Sequence, residues 1–174
     1  MNIMIKPKIA PLLLKLYKPD VLKYLRQNRK LYINRDNVYN YQLFRLQKLL
    51  LHAYHNTIYY RKIFDNIGLI RADKINWEKF DRVPLLTKDI IHENCEQLLA
   101  KDNLQRNTYR NTSGGSTGEP VIFIQDSDYY NRMVADTLYF AEIYGKSPGD
   151  LEIKIWGSEK DIFNEKKSIG GRLK

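Results

Sequence analysis

The stretch that most constrains this chain is Asn111-Thr112-Ser113-Gly114-Gly115-Ser116-Thr117-Gly118-Glu119-Pro120. Three glycines and four hydroxyl residues stand together, and the apolar run Val121-Ile122-Phe123-Ile124 follows at once. Glycine populates positive φ freely, so the backbone here can fold back tightly and aim successive N–H groups at one point. The hydroxyls of Thr112, Ser113, Ser116 and Thr117 add donors with little bulk. Such a concavity suits phosphate oxygens. The same composition also reads as a flexible Gly/Ser turn ahead of a strand. It is not a Walker A loop, because Glu119 stands where that loop's lysine would follow the last glycine.

Ahead of the loop the pattern is helical. Asn34 to Asn40 reads as a polar connector, and a helix is expected from Tyr41. Leu43, Leu46, Leu50 and Ala53 then recur at i, i+3, i+7 and i+10, and the helix should fade near Asn56-Thr57. Tyr59 to Ile67 predicts a second helix closed by Gly68, and Asp73 to Phe80 a helical turn carrying Trp77. Pro84 forces Val83 to be extended. Thr87 reads as an N-cap with Asp89 in the first turn, opening a helix to about Leu99 with Ile90, Ile91, Leu98 and Leu99 inward.

Leu104 to Arg110 should lead into the loop as an extended piece, and Pro120 to Gln125 should leave it as a strand. Asp126-Ser127-Asp128 can cap a helix that shares Tyr130, Met133, Val134, Leu138 and Ala141 on one face. After the turn Ser147-Pro148-Gly149-Asp150, the run Leu151-Glu152-Ile153-Lys154-Ile155-Trp156 alternates like a strand with one buried face. The fold expected is therefore α/β. Helices dominate residues 10–100, strands appear only from about Leu104, and residues 121–125 and 151–156 share one sheet.

Net charge is +9, and most of the excess is local. Lys6, Lys8, Lys15, Lys18, Lys23, Arg26, Arg29 and Lys30 face a single acid, Asp20, within residues 1–30. Segment 1–36 thus reads as basic, amphipathic and helical. No helix-turn-helix, zinc-finger or RNA-recognition signature accompanies the charge, so nucleic acid is not expected as a partner. Leucines interleaved with the lysines fit weak contact with an anionic membrane surface. They equally fit one or two helices packed on the following helix, which is the reading preferred over a membrane anchor. No run approaches the roughly 20 apolar residues of a membrane span, and no signal peptide is evident.

Cys95 is the single cysteine, which excludes an intramolecular disulfide and suits a reducing, cytoplasmic setting. It is expected to be a small buried hydrophobe. His52 and His55 share a helix face at i, i+3, but no cysteine or acidic cluster joins them, and no metal site is assigned.

The run Thr112 to Pro120 resembles the phosphate-binding loop of the adenylate-forming (AMP-forming) ligase superfamily. It is most similar to the phenylacetate–CoA ligase branch and its relatives in capsular polysaccharide biosynthesis. Leu50-Leu51-His52-Ala53-Tyr54, Tyr59-Tyr60-Arg61-Lys62-Ile63-Phe64, Gly68-Leu69 and Val83-Pro84-Leu85-Leu86-Thr87-Lys88-Asp89 recur in order in that branch, and Gly145-Lys146-Ser147-Pro148-Gly149-Asp150 resembles its Gly-x-x-x-Gly-Asp turn. The resemblance covers roughly Gln42 through Trp156.

It implies that residues 37–174 are an incomplete adenylation domain, where the helical N-terminal part is followed by the start of a mixed sheet. It also implies ATP, Mg²⁺ and a small carboxylic acid as ligands, an acyl-adenylate as product, and coenzyme A or another acceptor for the acyl group. Thr112, Ser113, Gly114, Gly115, Ser116, Thr117 and Gly118 are the implied phosphate-binding residues, with Ser116 and Thr117 foremost. Val121 departs from the lysine that many superfamily members place after the loop's proline, and Glu119 is expected to face solvent or pair with Arg110. The family's ribose-binding acid, adenine-stacking motif, hinge and catalytic lysine have no counterpart past Trp156. No catalytic residue is assigned, and the chain is expected to be an N-terminal fragment that needs the remainder or a second subunit. The competing reading is a non-catalytic basic module that binds an anionic partner or membrane surface through residues 1–30.

Overall fold

The computed structural model of the protein describes residues 10–113, 120–148 and 150. The basic N-terminal segment forms two helices, α1 (Ala10–Tyr17) and α2 (Pro19–Leu31). Pro19 brings a fixed φ and no N–H, which suits the first turn of α2. Helix α3 (Arg35–Asn56) follows, and Asn34 caps it by accepting from the Asp36 N–H at 2.7 Å. The connector expected over Asn34 to Asn40 is instead this cap and the opening turns of α3. Polar residues there read as a loop, but an asparagine cap with an aspartate in the first turn stabilises a helix start.

Thr57 stays extended and joins α3 to α4 (Ile58–Ile67), its Oγ1 accepting from the Tyr60 N–H at 3.2 Å. Gly68 ends α4 at φ 67°, the left-handed conformation expected of it. Leu50, Phe64, Leu69 and Ile70 make one core, with Leu46, Ala53 and Phe80 packed around them. Strands begin earlier than expected, since β1 (Ile70–Arg71) pairs antiparallel with β2 (Lys74–Ile75). Ala72 and Asp73 both take positive φ between them, which gives a two-residue hairpin turn. The helical turn expected from Asp73 therefore starts later, as a short 3₁₀ turn over Trp77–Arg82 capped by Asn76.

Val83 is extended before Pro84, as sterics require. Thr87 caps α5 (Lys88–Glu93) through the Ile90 N–H at 3.3 Å. The helix expected to reach Leu99 breaks at Asn94, whose side chain donates to the Ile90 carbonyl at 2.9 Å, and resumes as α6 (Cys95–Leu98). Side-chain competition for helix carbonyls is a known cause of such breaks. Cys95 is exposed, not buried. It opens a four-residue turn and lines a cleft facing the second sheet, so its side chain lacks a covering element.

That second sheet consists of β3 (Thr108–Thr112) and β4 (Ile122–Asp126), antiparallel, with Thr108 opposite Asp126 and Thr112 opposite Ile122. Helix α7 (Ser127–Ile143) leaves β4 directly, and Asp126 caps it by accepting from the Tyr129 N–H at 2.8 Å. Residues 151–156, expected to join this sheet, lie outside the described residues.

Helix α2 packs chiefly on α7, not on α3. Val21, Tyr24, Leu25 and Ala135 are its buried centre. Tyr24 pairs with Asp128, Asn28 with Asp136 at 2.7 Å, and Arg29 with Glu142 at 2.9 and 2.5 Å. Partners advance together along both chains, so the two helices run parallel. The face of α7 that packs centres on Ala135, with Val134, Leu138 and Tyr139 beside it. Tyr130 and Met133, expected on that face, are exposed. A small residue at the crossing lets the backbones approach closely, and this displaces the bulkier side chains outward.

The N-terminal segment is helical and α2 is packed, but on α7 and not on the following helix as expected, and the outer side of α1 is uncovered, with Leu12, Leu16 and Tyr17 57%, 67% and 75% exposed. Among the described residues the architecture is thus mixed α/β, with helices and two small antiparallel sheets.

Candidate functional site

The glycine-rich run connects β3 to β4, and its described ends are Ser113 and Pro120. Beyond the last paired residues, Thr112 and Ile122, the two strands are held together once more. The Ser113 N–H donates to the Val121 carbonyl at 2.9 Å, and the Val121 N–H donates to Ser113 Oγ at 3.0 Å. This closes the neck of the loop, with Val121 only 6% exposed. Ser113 Oγ therefore acts as an acceptor toward the neck and retains its own proton for donation elsewhere. Thr112 is exposed beside it, its N–H bonded to Asn111 Oδ1 at 2.8 Å. Asn111 in turn donates to Gln125 Oε1 across the ladder at 2.9 Å. Gly114, Gly115, Ser116, Thr117, Gly118 and Glu119 lie outside the described residues, as does the Glu119–Arg110 pairing.

The foot of the hairpin is fixed by a charged network that sequence reasoning missed. Arg106 Nη1 donates to Asp126 Oδ2 at 3.1 Å, while its Nε and Nη2 donate to Asp102 Oδ2 at 3.0 and 2.5 Å. His52 Nε2, on α3, lies 3.0 Å from Asp102 Oδ2 and 2.6 Å from Arg106 Nη2. One ring nitrogen cannot donate to the carboxylate and accept from the guanidinium at once, so the tautomer decides which bond forms. A backbone bond from the Ser127 N–H to the Asn107 carbonyl at 2.9 Å adds to the weld. The network joins α3, the turn before β3, the end of β4 and the cap of α7. Only the i, i+4 spacing of Asp102 and Arg106 is local; His52 and Asp126 come from distant chain.

Burial opposes the charge on Asp102, but hydrogen bonds from His52 and Arg106 outweigh it and hold its carboxyl below the ordinary range. Asp102 Oδ1 is shielded and has no hydrogen-bond partner among the described residues. Asp128 on α7 is likewise lowered: burial works against its charge, and Tyr24 and Arg132 more than compensate.

Between the hairpin and α6 lies a cleft of about 460 Å³. Leu86, Ile91, Leu98, Ile122 and Ile124 form its apolar wall, and Asp102 and Arg106 its polar margin. Ile122, Phe123 and Ile124 are all partly open to solvent.

His52 and His55, expected on one helix face, bond to different carboxylates: His52 as above and His55 to Asp73 at 2.7 Å. Among the described residues no three histidine, cysteine or acidic side chains converge where a metal ion could be held. No described helix is long and apolar enough to cross a membrane. In chemical terms, the described part of the arrangement is a two-stranded arm with its neck closed by Ser113 and its foot held by Arg106.

No protein-family model matches the chain, and no solved structure matches it. It is similar to Protein CapK of Staphylococcus aureus, with 26% identity over 132 residues. That match covers 73% of this chain and 29% of the length of Protein CapK. The chain thus spans less than a third of that relative.

Proposed function

We propose that this chain carries the phosphate-binding loop of an AMP-forming ligase that activates a carboxylic acid with ATP as an acyl-adenylate, for transfer to coenzyme A or another acceptor. The observation that carries the reading is the residue order Thr112 to Pro120 connecting two paired strands with a closed neck and a fixed foot. Similarity to Protein CapK supports a place in making a capsule or other cell-surface polysaccharide.

On this reading Ser116 and Thr117 donate to the β- and γ-phosphates, with the N–H groups of residues 114–118 beside them. Ser113 keeps one proton for the same purpose while its oxygen holds the neck. Donors held in place before reaction stabilise charge moving onto the departing pyrophosphate without the cost of reorganising. Mg²⁺ would arrive on the nucleotide's own phosphates. Groups that grip ribose and base have no counterpart among the motifs of this chain. The proposal therefore assigns turnover to a polypeptide or complex that supplies them, because positioning and charge stabilisation together carry adenylyl transfer.

The test is acid-dependent ATP–pyrophosphate exchange, run on the 174-residue chain and on a longer form containing it. The short form should bind Mg·ATP weakly and give no exchange. The longer form should exchange, and Ser116→Ala with Thr117→Ala should abolish it. Exchange that survives the double substitution would overturn the reading of the loop. Turnover by the short form alone would overturn the requirement for further chain.

A further inference from the structure

Helix α1 leaves a stripe of leucines uncovered beside lysines and tyrosines. Leu13 and Leu14 are half-buried, yet Leu12 and Leu16, one turn apart on a single stripe, are 57% and 67% exposed. Tyr17 follows them, more exposed still. Past its C-terminal end the surface turns into a shallow cleft that Tyr17, Tyr109 and Tyr130 share with Lys18. Lys18 Nζ sits over the Tyr130 ring, 5.4 Å from its centre. Lys15 is exposed on the same helix, and Asp20 lines the cleft with Lys18.

Apolar side chains presented to water, tyrosines around them and ammonium groups at the margin are together what an interfacial helix requires. The leucines enter the acyl boundary, tyrosine rings sit at headgroup level with the hydroxyl outward, and lysines reach anionic headgroups. The charge of the segment selects among occupants. Lys15 and Lys18 stand at this face, within a segment 1–30 that carries eight basic residues and one acid, and that positive balance disfavours a second copy of the face and attracts a negatively charged lipid surface.

We propose that α1 and the tyrosines beside it form a docking face for an anionic membrane surface, with Leu12 and Leu16 inserted at the interface and Lys15 and Lys18 on the headgroups. This is peripheral contact and requires no spanning helix. Helix α2 lies behind it, locked to α7 through Val21, Tyr24 and Leu25, so the contact is transmitted to the rest of the protein and is not made by a loose tail. The proposal does not depend on the reading of the glycine-rich loop.

The experiment is co-sedimentation of the full 174-residue chain with phosphatidylcholine vesicles containing about 30% phosphatidylserine, and with phosphatidylcholine alone, at about 0.05 and about 0.5 M salt. At low salt pelleting should be much stronger with the anionic vesicles, and at high salt a weaker residue of binding should remain. Lys15→Ala with Lys18→Ala should weaken low-salt binding about twenty-five-fold, roughly fivefold for each lysine. Leu12→Ser with Leu16→Ser should remove the salt-resistant part. Both leucines are exposed, so the helical circular dichroism should be retained. If the double variant loses that signal, Leu16→Ser alone must show the same loss in smaller degree. Equal pelleting on both vesicle types at low salt, or salt-resistant pelleting that ignores the leucine substitutions, overturns the proposal. So does sedimentation velocity without vesicles that shows a dimer dissolved by the leucine variant, since the face would then belong to a second copy.

Discussion

Asp102→Asn isolates the charge that holds the hairpin foot while leaving its shape intact. The carboxylate Oδ2 receives Arg106 Nε at 3.0 Å and Nη2 at 2.5 Å and lies 3.0 Å from His52 Nε2. A hydrogen bond to a charged group contributes about 1.5–3 kcal/mol when dry, but exposed pairs contribute only about 0–1 kcal/mol. The Asp102 side chain is 26% exposed and that of Arg106 38%, so water screens a good part of the interaction. The expected loss at neutral pH is therefore about 1–2 kcal/mol.

The same reasoning fixes a pH dependence. Asp102 is lowered in the folded state, so its contribution is complete above the ordinary carboxylate range, near pH 4, and is lost as pH falls through the folded-state value. A protonated Asp102 resembles asparagine, so the stability gap between wild type and variant should close at low pH. Asp128 is lowered in both proteins and cancels from the difference. Urea denaturation followed by circular dichroism at a series of pH values from 7 downward measures the gap. A gap that stays constant as the carboxylates protonate, or no gap at pH 7, would refute the reasoning.

Gly68→Ala should cost about 1 kcal/mol, since φ is 67° there and a Cβ meets nothing nearer than the Arg71 guanidinium at 3.7 Å. The cost is conformational and not a clash; a thermal melt unchanged from wild type would show that α4 does not need this end. Tyr24→Phe keeps a ring beneath Arg132, whose guanidinium carbon lies 3.9 Å from the Tyr24 ring centre, but removes the hydroxyl that bonds Asp128. Stability should fall by about 1 kcal/mol, and the Asp128 carboxyl should titrate closer to its ordinary value in carbon-detected NMR. An Asp128 titration identical to wild type would mean that the tyrosine does not hold it.

What was legible in the sequence was what is local. Gly68 closing α4, Thr87 and Asp126 as caps, and Val83 held extended by Pro84 each follow from a few adjacent residues, and the structure has them. The extended pieces on either side of the glycine-rich loop were legible in kind only, since the piece expected from Leu104 opens as a 3₁₀ turn over Asn103–Gln105 and becomes a strand at Thr108. Where local signals competed, the sequence misled. Asn34 to Asn40 looked like linker because polar residues serve both loops and helix starts, and the break at Asn94 depends on one side chain reaching one carbonyl.

What tertiary structure decided was every partnership across long stretches of chain. The register of β3 on β4 brings Ser113 against Val121, which closes the neck from which the glycine-rich run leaves. The parallel packing of α2 on α7 rotates Ala135 inward and Tyr130 and Met133 outward. His52, Asp102, Arg106 and Asp126 meet only because α3 passes the hairpin foot. Periodicity specifies that a helix has an apolar face, but which neighbour covers that face depends on shape and charge that are brought together only by folding.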